Sequence, residues 1–160
     1  MSTSTRRLNR RVSKLAASAP ASWFFLHVAN PVDKRLLPAT NGRISLALGQ
    51  PVLCLEVTGA KSGKRRRTPL LYMEHGDDLV MIASATGRTQ HPAWYRNLTA
   101  NPRVKVYAPR GRTGEYIART AEGDEREELY RRAVDFYPGF TVYETRTSRQ
   151  FPVVVLSRAR

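Results

Sequence analysis

The apolar residues of this chain occur in short runs separated by turn-forming residues, and this pattern restricts the fold more than any other feature. A run of five or six apolar residues matches the usual length of a buried strand and is too short for a helix. Strands are predicted at residues 52–58, 70–74, 79–84, 104–108, 114–120 and 153–156. Six short strands with antiparallel connections and only a few helices predict an α+β protein built on a small, mainly antiparallel β-barrel.

Three other segments have patterns that are typical of helices flanking such a barrel. Residues 92–100 form a short segment of this kind, and residues 140–147 form another. Residues 124–137 give the clearest pattern, because Asp124 is a good N-cap and Glu127 follows it at capping-box spacing. We therefore expect three helices in the second half of the chain.

The first 50 residues differ from the rest in composition. Residues 1–19 alternate arginines with apolar residues at helical spacing, which predicts a basic amphipathic helix. Such a helix, followed by the aromatic cluster at 23–26, suits either an anionic membrane surface or the protein's own core. Residues 30–50 are interpreted as a connector with a short helix or turn. We accordingly divide the chain into residues 1–50 and a barrel domain at 51–160.

The compartment follows from what the sequence contains and lacks. Cys54 is the single cysteine, so no internal disulfide can form and an oxidising compartment is not indicated. No stretch approaches the roughly 18 apolar residues that a membrane-spanning helix needs. The N-terminal arginines are not followed by a long apolar run, which makes a poor secretory signal. We predict a cytoplasmic protein that can touch the inner face of the plasma membrane.

A strongly basic segment joins the first two predicted strands. The chain carries a formal net charge of +14 over 160 residues, so an anionic partner is expected. Residues 58–69 read TGAKSGKRRRTP and concentrate five cations behind two glycines: Lys61, Lys64, Arg65, Arg66 and Arg67. Glycines in such a tight connection allow backbone N–H groups to point at one spot and hold an anion. We expect the connection to carry the binding site.

Three kinds of anion were compared for this segment. A nucleotide-binding P-loop is excluded, because three residues instead of four separate the glycines and Lys64 is followed by arginine. Nucleic acid is disfavoured, since single-strand binders interleave aromatic residues and the nearest one here is Tyr72. A phosphorylated or carboxylate-rich cofactor fits best, because arginine offers bidentate contacts to such groups.

Two motifs in fixed order resemble the deazaflavin-dependent nitroreductase family of actinobacteria. The first is the basic segment with its Thr-Gly-x-Lys-Ser-Gly start, followed by Arg66 and Pro69-Leu70. The second is HPAWYRNLTANP at residues 91–102, preceded by Ser84 and Gly87. The resemblance covers roughly residues 45–157. It implies a split β-barrel oxidoreductase that passes a hydride from reduced coenzyme F420 to a quinone-like or nitroaromatic acceptor.

The resemblance also implies which residues hold the cofactor. By position these are Lys61, Ser62, Gly63, Arg66, Pro69, Leu70, Ser84, Ala85, Gly87, His91, Pro92, Ala93 and Trp94. The loop cations would hold the phosphate and the poly-glutamate tail, and the remaining residues would lie near the ring. Tyr137, Tyr143 and Ser84 are the candidates for a catalytic role, and the two tyrosines would line the acceptor side with Phe140. No spacing of His, Cys, Asp or Glu predicts a metal site.

The sequence departs from the family pattern at several positions. Ala60 stands where the family has arginine, Leu71 where some members have tyrosine, and Ala85 with Thr86 where glycine is usual. These departures bear on nitroaromatic reduction more than on cofactor binding. Three alternatives stay open: a split barrel that uses FMN, a basic cofactor carrier without turnover, and a nucleic-acid-binding protein. Whether the chain forms a dimer is also open.

Overall fold

The computed structural model describes residues 29–47 and 49–160. That part of the chain contains seven strands and four helices. In chain order they are α1 (Asn30–Ala39), β1 (Val52–Thr58), β2 (Arg65–Leu71), β3 (Met73–His75), β4 (Asp78–Ile82), α2 (Ala93–Ala100), β5 (Arg103–Tyr107), β6 (Gly114–Thr120), α3 (Gly123–Phe136), α4 (Gly139–Glu144) and β7 (Val153–Arg158). A short 3-10 turn, Ala85–Gly87, lies between β4 and α2.

The strands form one antiparallel sheet in the order β2-β1-β5-β6-β7-β4-β3. Its two edge strands, β2 and β3, are separated in the chain by Tyr72 alone. Because one residue links both edges, the sheet must curl until they meet, as in a barrel. The prediction of an α+β split β-barrel is confirmed.

Two features of the strands differ from the prediction. The expected strand at 70–74 is two strands, since Tyr72 leaves the ladder and its N–H donates to the Pro51 carbonyl at 3.1 Å. In addition, β2 begins at Arg65, so three of the five cations lie on a strand and not on the connection. The cause is Glu56 on β1, which pairs in register with Arg67 and makes a cationic strand favourable there.

Two of the apolar cores among the described residues are closed by α2, α3 and α4. The barrel interior is filled from β1, β4, β5, β6 and β7 and is covered by Trp94 and Leu98 of α2. The second core lies between the β4–β7 part of the sheet and the helices α3 and α4, and it contains Tyr137, Phe140 and Phe151. The α2 side and the α3–α4 side of the barrel therefore pack against different cores.

The first described helix is tied down by a buried carboxylate. Asp33 of α1 is 2% exposed and accepts hydrogen bonds from Ser45 Oγ at 2.7 Å and from the Leu46 N–H at 2.8 Å. The predicted short helix between residues 30 and 50 is therefore present. The predicted basic helix at 1–19 lies outside the described residues.

The capping box predicted for the long C-terminal helix is wrong. The helix α3 begins at Gly123, one residue before Asp124, and its cap position is Glu122 without a side-chain cap hydrogen bond. Glu127 pairs with Arg126 at 2.7 Å instead of reaching back to the helix start. The Glu127 side chain is thus held by the adjacent arginine.

Candidate functional site

A basic groove of about 590 Å³ lies where the hairpin between β1 and β2 approaches α2. We define the basic groove by its lining from the hairpin, β2, α2 and α1: Lys34, Gly59, Ala60, Lys61, Ser62, Arg66, Arg67, Thr68, Ala93, Trp94, Arg96 and Asn97. Five of the predicted cofactor residues meet here: Lys61, Ser62, Arg66, Ala93 and Trp94. The fold thus brings both sequence motifs to one place.

The hairpin is closed by its own glycines. The Gly59 N–H donates to the Lys64 carbonyl at 2.8 Å, and the Gly63 N–H donates to the Gly59 carbonyl at 2.9 Å. Gly63 has a φ of +63°, in the left-handed region that favours glycine. The N–H groups of these two glycines are therefore used inside the turn and are not free to meet an anion. The cationic side chains of the groove can hold an anion.

Two asparagines that the sequence analysis left without a role fix the hairpin against α2. Asn97 Oδ1 accepts the Ala60 N–H at 3.0 Å, and Asn101 Nδ2 donates to the Thr58 carbonyl at 3.3 Å. Both belong to the second motif and follow one another at a spacing of one helical turn. That spacing was a usable signal, since residues four apart lie on the same face of a helix.

The cations of the hairpin and β2 divide into two sets. Glu56 is 4% exposed, and its two carboxylate oxygens accept hydrogen bonds from Arg65 at 2.9 Å and from Arg67 at 2.7 Å. Burial opposes ionisation of Glu56, but the hydrogen bonds and charges of Arg67 and Arg65 outweigh it and lower its pKa. In the sequence, an acidic residue within the apolar run of β1 could have indicated these two ion pairs. The three residues form a structural ion-pair cluster at the edge of the groove.

The remaining cations of the groove are not paired with a carboxylate in the described part of the chain. Within the described residues, Lys34, Lys61, Arg66 and Arg96 form no salt bridge, and no acidic residue lines the groove. Lys34 and Arg96 were missed by the sequence analysis, because helix α1 and the far side of α2 meet the hairpin only in the fold. Unpaired cations around one opening favour an anionic ligand.

Other predicted cofactor residues lie next to the basic groove without lining it. Gly63 stands in the hairpin turn, and Pro92 precedes α2 at its cap position. Pro69 is buried on β2 opposite Cys54, on an edge strand where its missing N–H is tolerated. Leu70 packs against the barrel interior. These residues belong to the hairpin, β2 and the start of α2, which are the elements that carry the lining residues of the groove.

A third set lies around the 84–87 turn and at His91. Arg149 donates to the carbonyls of Ala83, Ser84 and Arg88 and to His91 Nδ1, the last at 2.9 Å. Burial, followed by the charges of Arg149 and Arg96, lowers the pKa of His91, so its ring is neutral at neutral pH. Arg149 therefore joins Ser84 to His91, and Ala85 and Gly87 lie in the same turn as Ser84.

The two candidate catalytic tyrosines lie inside the second core. Tyr137, Phe140 and Tyr143, which we call the aromatic cluster, are between 4% and 7% exposed. The Tyr137 and Tyr143 hydroxyl groups lie 3.4 Å apart, and the Phe140 ring meets the Tyr137 ring edge-on at 5.2 Å. Burial and the Tyr143 hydroxyl hydrogen bond raise the pKa of Tyr137 far above its usual value. Neither tyrosine lines the basic groove.

Comparison with known proteins identifies the family. The family model described as F420H(2)-dependent quinone reductase matches residues 32–158. The F420H(2)-dependent quinone reductase Rv1261c of Mycobacterium tuberculosis is 37% identical over 123 residues, covering 74% of this chain and 83% of the relative. The chain belongs to the F420H(2)-dependent quinone reductase family of oxidoreductases.

Solved structures agree with this assignment. The F420-H2 dependent reductase FDR-A is 40% identical, with a TM-score of 0.59, and the match covers 67% of this chain and 94% of that chain. A structure described as a domain-swapped dimer is 35% identical, with a TM-score of 0.64, and covers 87% of this chain and 100% of that chain. The cofactor of the family is F420, and the comparisons give no support to FMN. Within the described residues, no helix is long and apolar enough to cross a membrane.

Proposed function

We propose that this protein reduces quinones with a hydride from reduced F420, and that the basic groove holds the anionic part of the cofactor. The observation that carries this proposal is the meeting of both sequence motifs around one opening, together with four cations that form no salt bridge within residues 29–47 and 49–160. The rivals, a cofactor carrier and a nucleic-acid-binding protein, explain the positive charge but not the family match.

The side chains present fit a phosphate and carboxylate tail. Arg66 and Arg96 offer planar forks that suit bidentate contacts, and Lys34 and Lys61 offer mobile point charges. The hairpin is tight enough that a Cβ on Gly59 would come within 2.6 Å of Ser62 Oγ, so the wall of the groove has a defined shape. Lys34 and Arg96 supply positive charge near Ala60, where the resembling family carries an arginine.

The cofactor, when bound, supplies the hydride, so the chain's part is to bind, orient and exclude water. The groove side chains would set the position of the tail. Trp94, 7% exposed, would present a rigid wall beside it. Pro69 and Leu70, together with the 84–87 turn, are proposed to lie nearer the ring. We propose that Tyr137 and Tyr143 support the ring side of the site by packing in the second core.

The test combines binding with turnover. Titration with oxidised F420 should quench its fluorescence at micromolar protein, and FMN should give no saturable signal. With reduced F420 present, menadione should be consumed at a rate proportional to enzyme. Binding without turnover would indicate a carrier, and salt-sensitive binding of duplex DNA without F420 binding would indicate a nucleic-acid-binding protein.

A quinone is the proposed acceptor, and a nitroaromatic compound is the comparison substrate. Leu71 replaces a tyrosine that some members of the resembling family carry, and an aliphatic side chain offers no hydrogen bond to a nitro group. We expect kcat/KM for menadione to exceed that for a nitroimidazole by at least tenfold. Equal values would show that the acceptor side does not discriminate between the two.

Two further proposals concern assembly and location. A dimer is proposed because one similar structure is described as a domain-swapped dimer. Light scattering across a tenfold concentration range would give twice the 18.1 kDa chain mass if it forms. Peripheral contact with an anionic membrane is proposed from the +14 net charge. Co-sedimentation with anionic but not neutral vesicles would support it.

A further inference from the structure

The strand β2 lies at one edge of the sheet and pairs with β1 on one side only. In an antiparallel pair, successive residues of a strand direct their backbone N–H and C=O groups alternately toward the partner strand and away from it. At one end of this pair the Gly59 N–H donates to the Lys64 carbonyl at 2.8 Å. At the other end the Tyr72 N–H donates to the Pro51 carbonyl at 3.1 Å. Both bonds place the even-numbered residues of β2 toward β1, so the odd-numbered residues face outward.

The odd-numbered residues give β2 a free backbone edge. The N–H and C=O groups of Arg65 and Arg67 and the carbonyl of Pro69 form no hydrogen bond within the described residues. Pro69 has no N–H, so this position offers an acceptor only. Unpaired groups along the edge of a sheet are a template on which a further strand can pair.

A helix lies beside this free edge. A groove of about 980 Å³, which we call the edge groove, lies between β2 and α1. The three α1 residues that matter here are spaced four and three apart, so they form an apolar stripe on one face of the helix. The stripe consists of Val32, Leu36 and Ala39, and β2 contributes Arg67, Thr68 and Pro69 to the edge groove. An exposed strand edge with an apolar surface beside it suits an extended peptide that adds as a strand.

The two faces of the sheet differ along β2, and an added strand would meet both. Cys54, opposite Pro69, packs with Leu37 of α1, so Pro69 lies on the face that α1 covers. Val57, opposite Arg66, packs in the barrel interior, so Arg66 lies on the other face, where it lines the basic groove. Because side chains alternate between faces, every second side chain of an added strand would meet the apolar stripe, and the others would meet the cations.

Charge decides which strand this edge can accept. Lys34 and Arg35 also line the edge groove, and no acidic residue of the described chain does. A second copy of the chain would set the arginines of β2 against the same arginines, and like charges directly opposite one another are destabilising. An acidic strand would be attracted to this edge.

We propose that the edge groove binds an extended acidic segment of a partner protein, which adds to β2 as an eighth strand beside the seven described. Its backbone pairs with Arg65 and Arg67, its apolar side chains pack on the apolar stripe of α1, and its acidic side chains face Arg66. The edge groove shares Lys34, Arg67 and Thr68 with the basic groove, so the experiment must separate partner binding from cofactor binding.

Synthetic peptides test the proposed alternation. Fluorescein-labelled Glu-Val-Glu-Val-Glu-Val should bind the full chain about tenfold more tightly than Glu-Glu-Glu-Val-Val-Val, which has the same charge but cannot place its valines on one face of a strand. Fluorescence anisotropy measures both Kd values. Two further versions carry N-methyl groups on every glutamate or on every valine. One of them should lose binding and the other should keep it, because only one edge of the peptide meets β2. Equal affinities for the alternating and block peptides would overturn the proposal.

A pair of variants tests the apolar stripe. Val32 is 41% exposed and lines the edge groove, whereas Ile44 is 55% exposed and lies outside it. Val32→Asp and Ile44→Asp change the net charge equally. We expect Val32→Asp alone to raise the Kd of the alternating peptide about tenfold, because a carboxylate would face its valines. An equal effect of the two variants would show that the stripe takes no part in binding.

Amide protons locate the bound peptide. In ¹⁵N-labelled protein, saturation with the alternating peptide should move the amide protons of Arg65 and Arg67 downfield. The amides of Arg66 and Thr68 face β1 and serve as internal controls. Unmoved Arg65 and Arg67 signals, with displacement of the peptide by oxidised F420, would place it in the basic groove and contradict the inference. Downfield shifts of both signals that persist when F420 is bound would support an edge site separate from the cofactor.

Discussion

The basic groove and the aromatic cluster were both expected to be functional, but they are built in opposite ways. The groove is open and is lined by Lys34, Lys61, Arg66 and Arg96 without a salt bridge among the described residues. The aromatic cluster is almost fully buried, and its two hydroxyl groups are 3.4 Å from each other. The groove keeps cationic side chains that can bind a ligand, whereas the two tyrosine hydroxyl groups of the aromatic cluster are paired with each other.

This difference separates residues that bind from residues that support. Unpaired cations near one another raise the energy of the free protein and are favourable once an anion arrives. Buried rings contribute to stability whether or not a ligand is present. Substitutions in the groove should therefore change binding without changing stability, and substitutions in the aromatic cluster should do the reverse.

The largest expected effect tests the aromatic cluster. Phe140→Ala should lower the free energy of unfolding by about 3 kcal/mol, because it leaves a cavity between two tyrosine rings. Urea unfolding measures the loss. Phe136→Ala is the matched control, since Phe136 is 38% exposed and should lose much less. If the two variants lose the same amount, the cluster is not a packing unit.

The second effect concerns the ion-pair cluster at the edge of the groove. Glu56→Gln should cost about 2 kcal/mol, because Arg65 and Arg67 lose a nearly buried carboxylate. The pKa of Glu56 is lowered in the folded protein, so this contribution is present above pH 4.5 and is lost as the pH falls through the lower value. Urea unfolding at pH 7 and pH 3 measures both effects.

The control for that substitution is a pair of the same kind on the surface. Glu115 lies 2.9 Å from Arg103 Nε, and its side chain is 54% exposed. Glu115→Gln should change the free energy of unfolding by no more than about 0.5 kcal/mol. A larger cost for Glu115→Gln than for Glu56→Gln would show that burial does not set the strength of these pairs.

The third effect is on binding. Lys61→Ala combined with Arg66→Ala should raise the Kd for F420 at least tenfold, about 1.4 kcal/mol, and should leave unfolding unchanged. The matched control removes the same charge elsewhere, with Arg43→Ala and Arg131→Ala. Both arginines are exposed and form no side-chain hydrogen bond or salt bridge within the described residues. An equal loss in both double variants would mean that net charge alone attracts the cofactor.

The smallest effect is a pH dependence at His91, which contacts Arg149 beside the 84–87 turn. Burial and the charges of Arg149 and Arg96 lower the pKa of His91 below its ordinary 6.5. The unfolded chain then binds the proton more readily, so stability should decrease as the pH falls below 6.5. Comparison of wild type with His91→Gln between pH 5 and pH 8 isolates this slope. His75→Gln is the control. If the free energy of unfolding depends on pH in the same way in His91→Gln and in wild type, the prediction is wrong.

Local patterns in the sequence were sufficient for the elements and for part of the site. Short apolar runs predicted the barrel, because strand length and alternation are properties of a few consecutive residues. The two motifs marked Lys61, Ser62, Arg66, Ala93 and Trp94, which the fold gathers in one groove. The sequence did not show that the Gly59 and Gly63 N–H groups are used inside the hairpin, since their hydrogen bonds depend on how the turn closes.

Tertiary structure alone decided which charges are free and which backbone donors are left without an acceptor. Glu56 forms ion pairs with Arg65 and Arg67. Lys34 and Arg96 line the groove from separate helices. Arg149 donates a hydrogen bond to the Ser84 carbonyl. These relations join residues that are far apart in the chain, some by more than 60 positions. A sequence records which groups exist, but long-range packing determines which of them neutralise one another, and only what remains can bind a ligand.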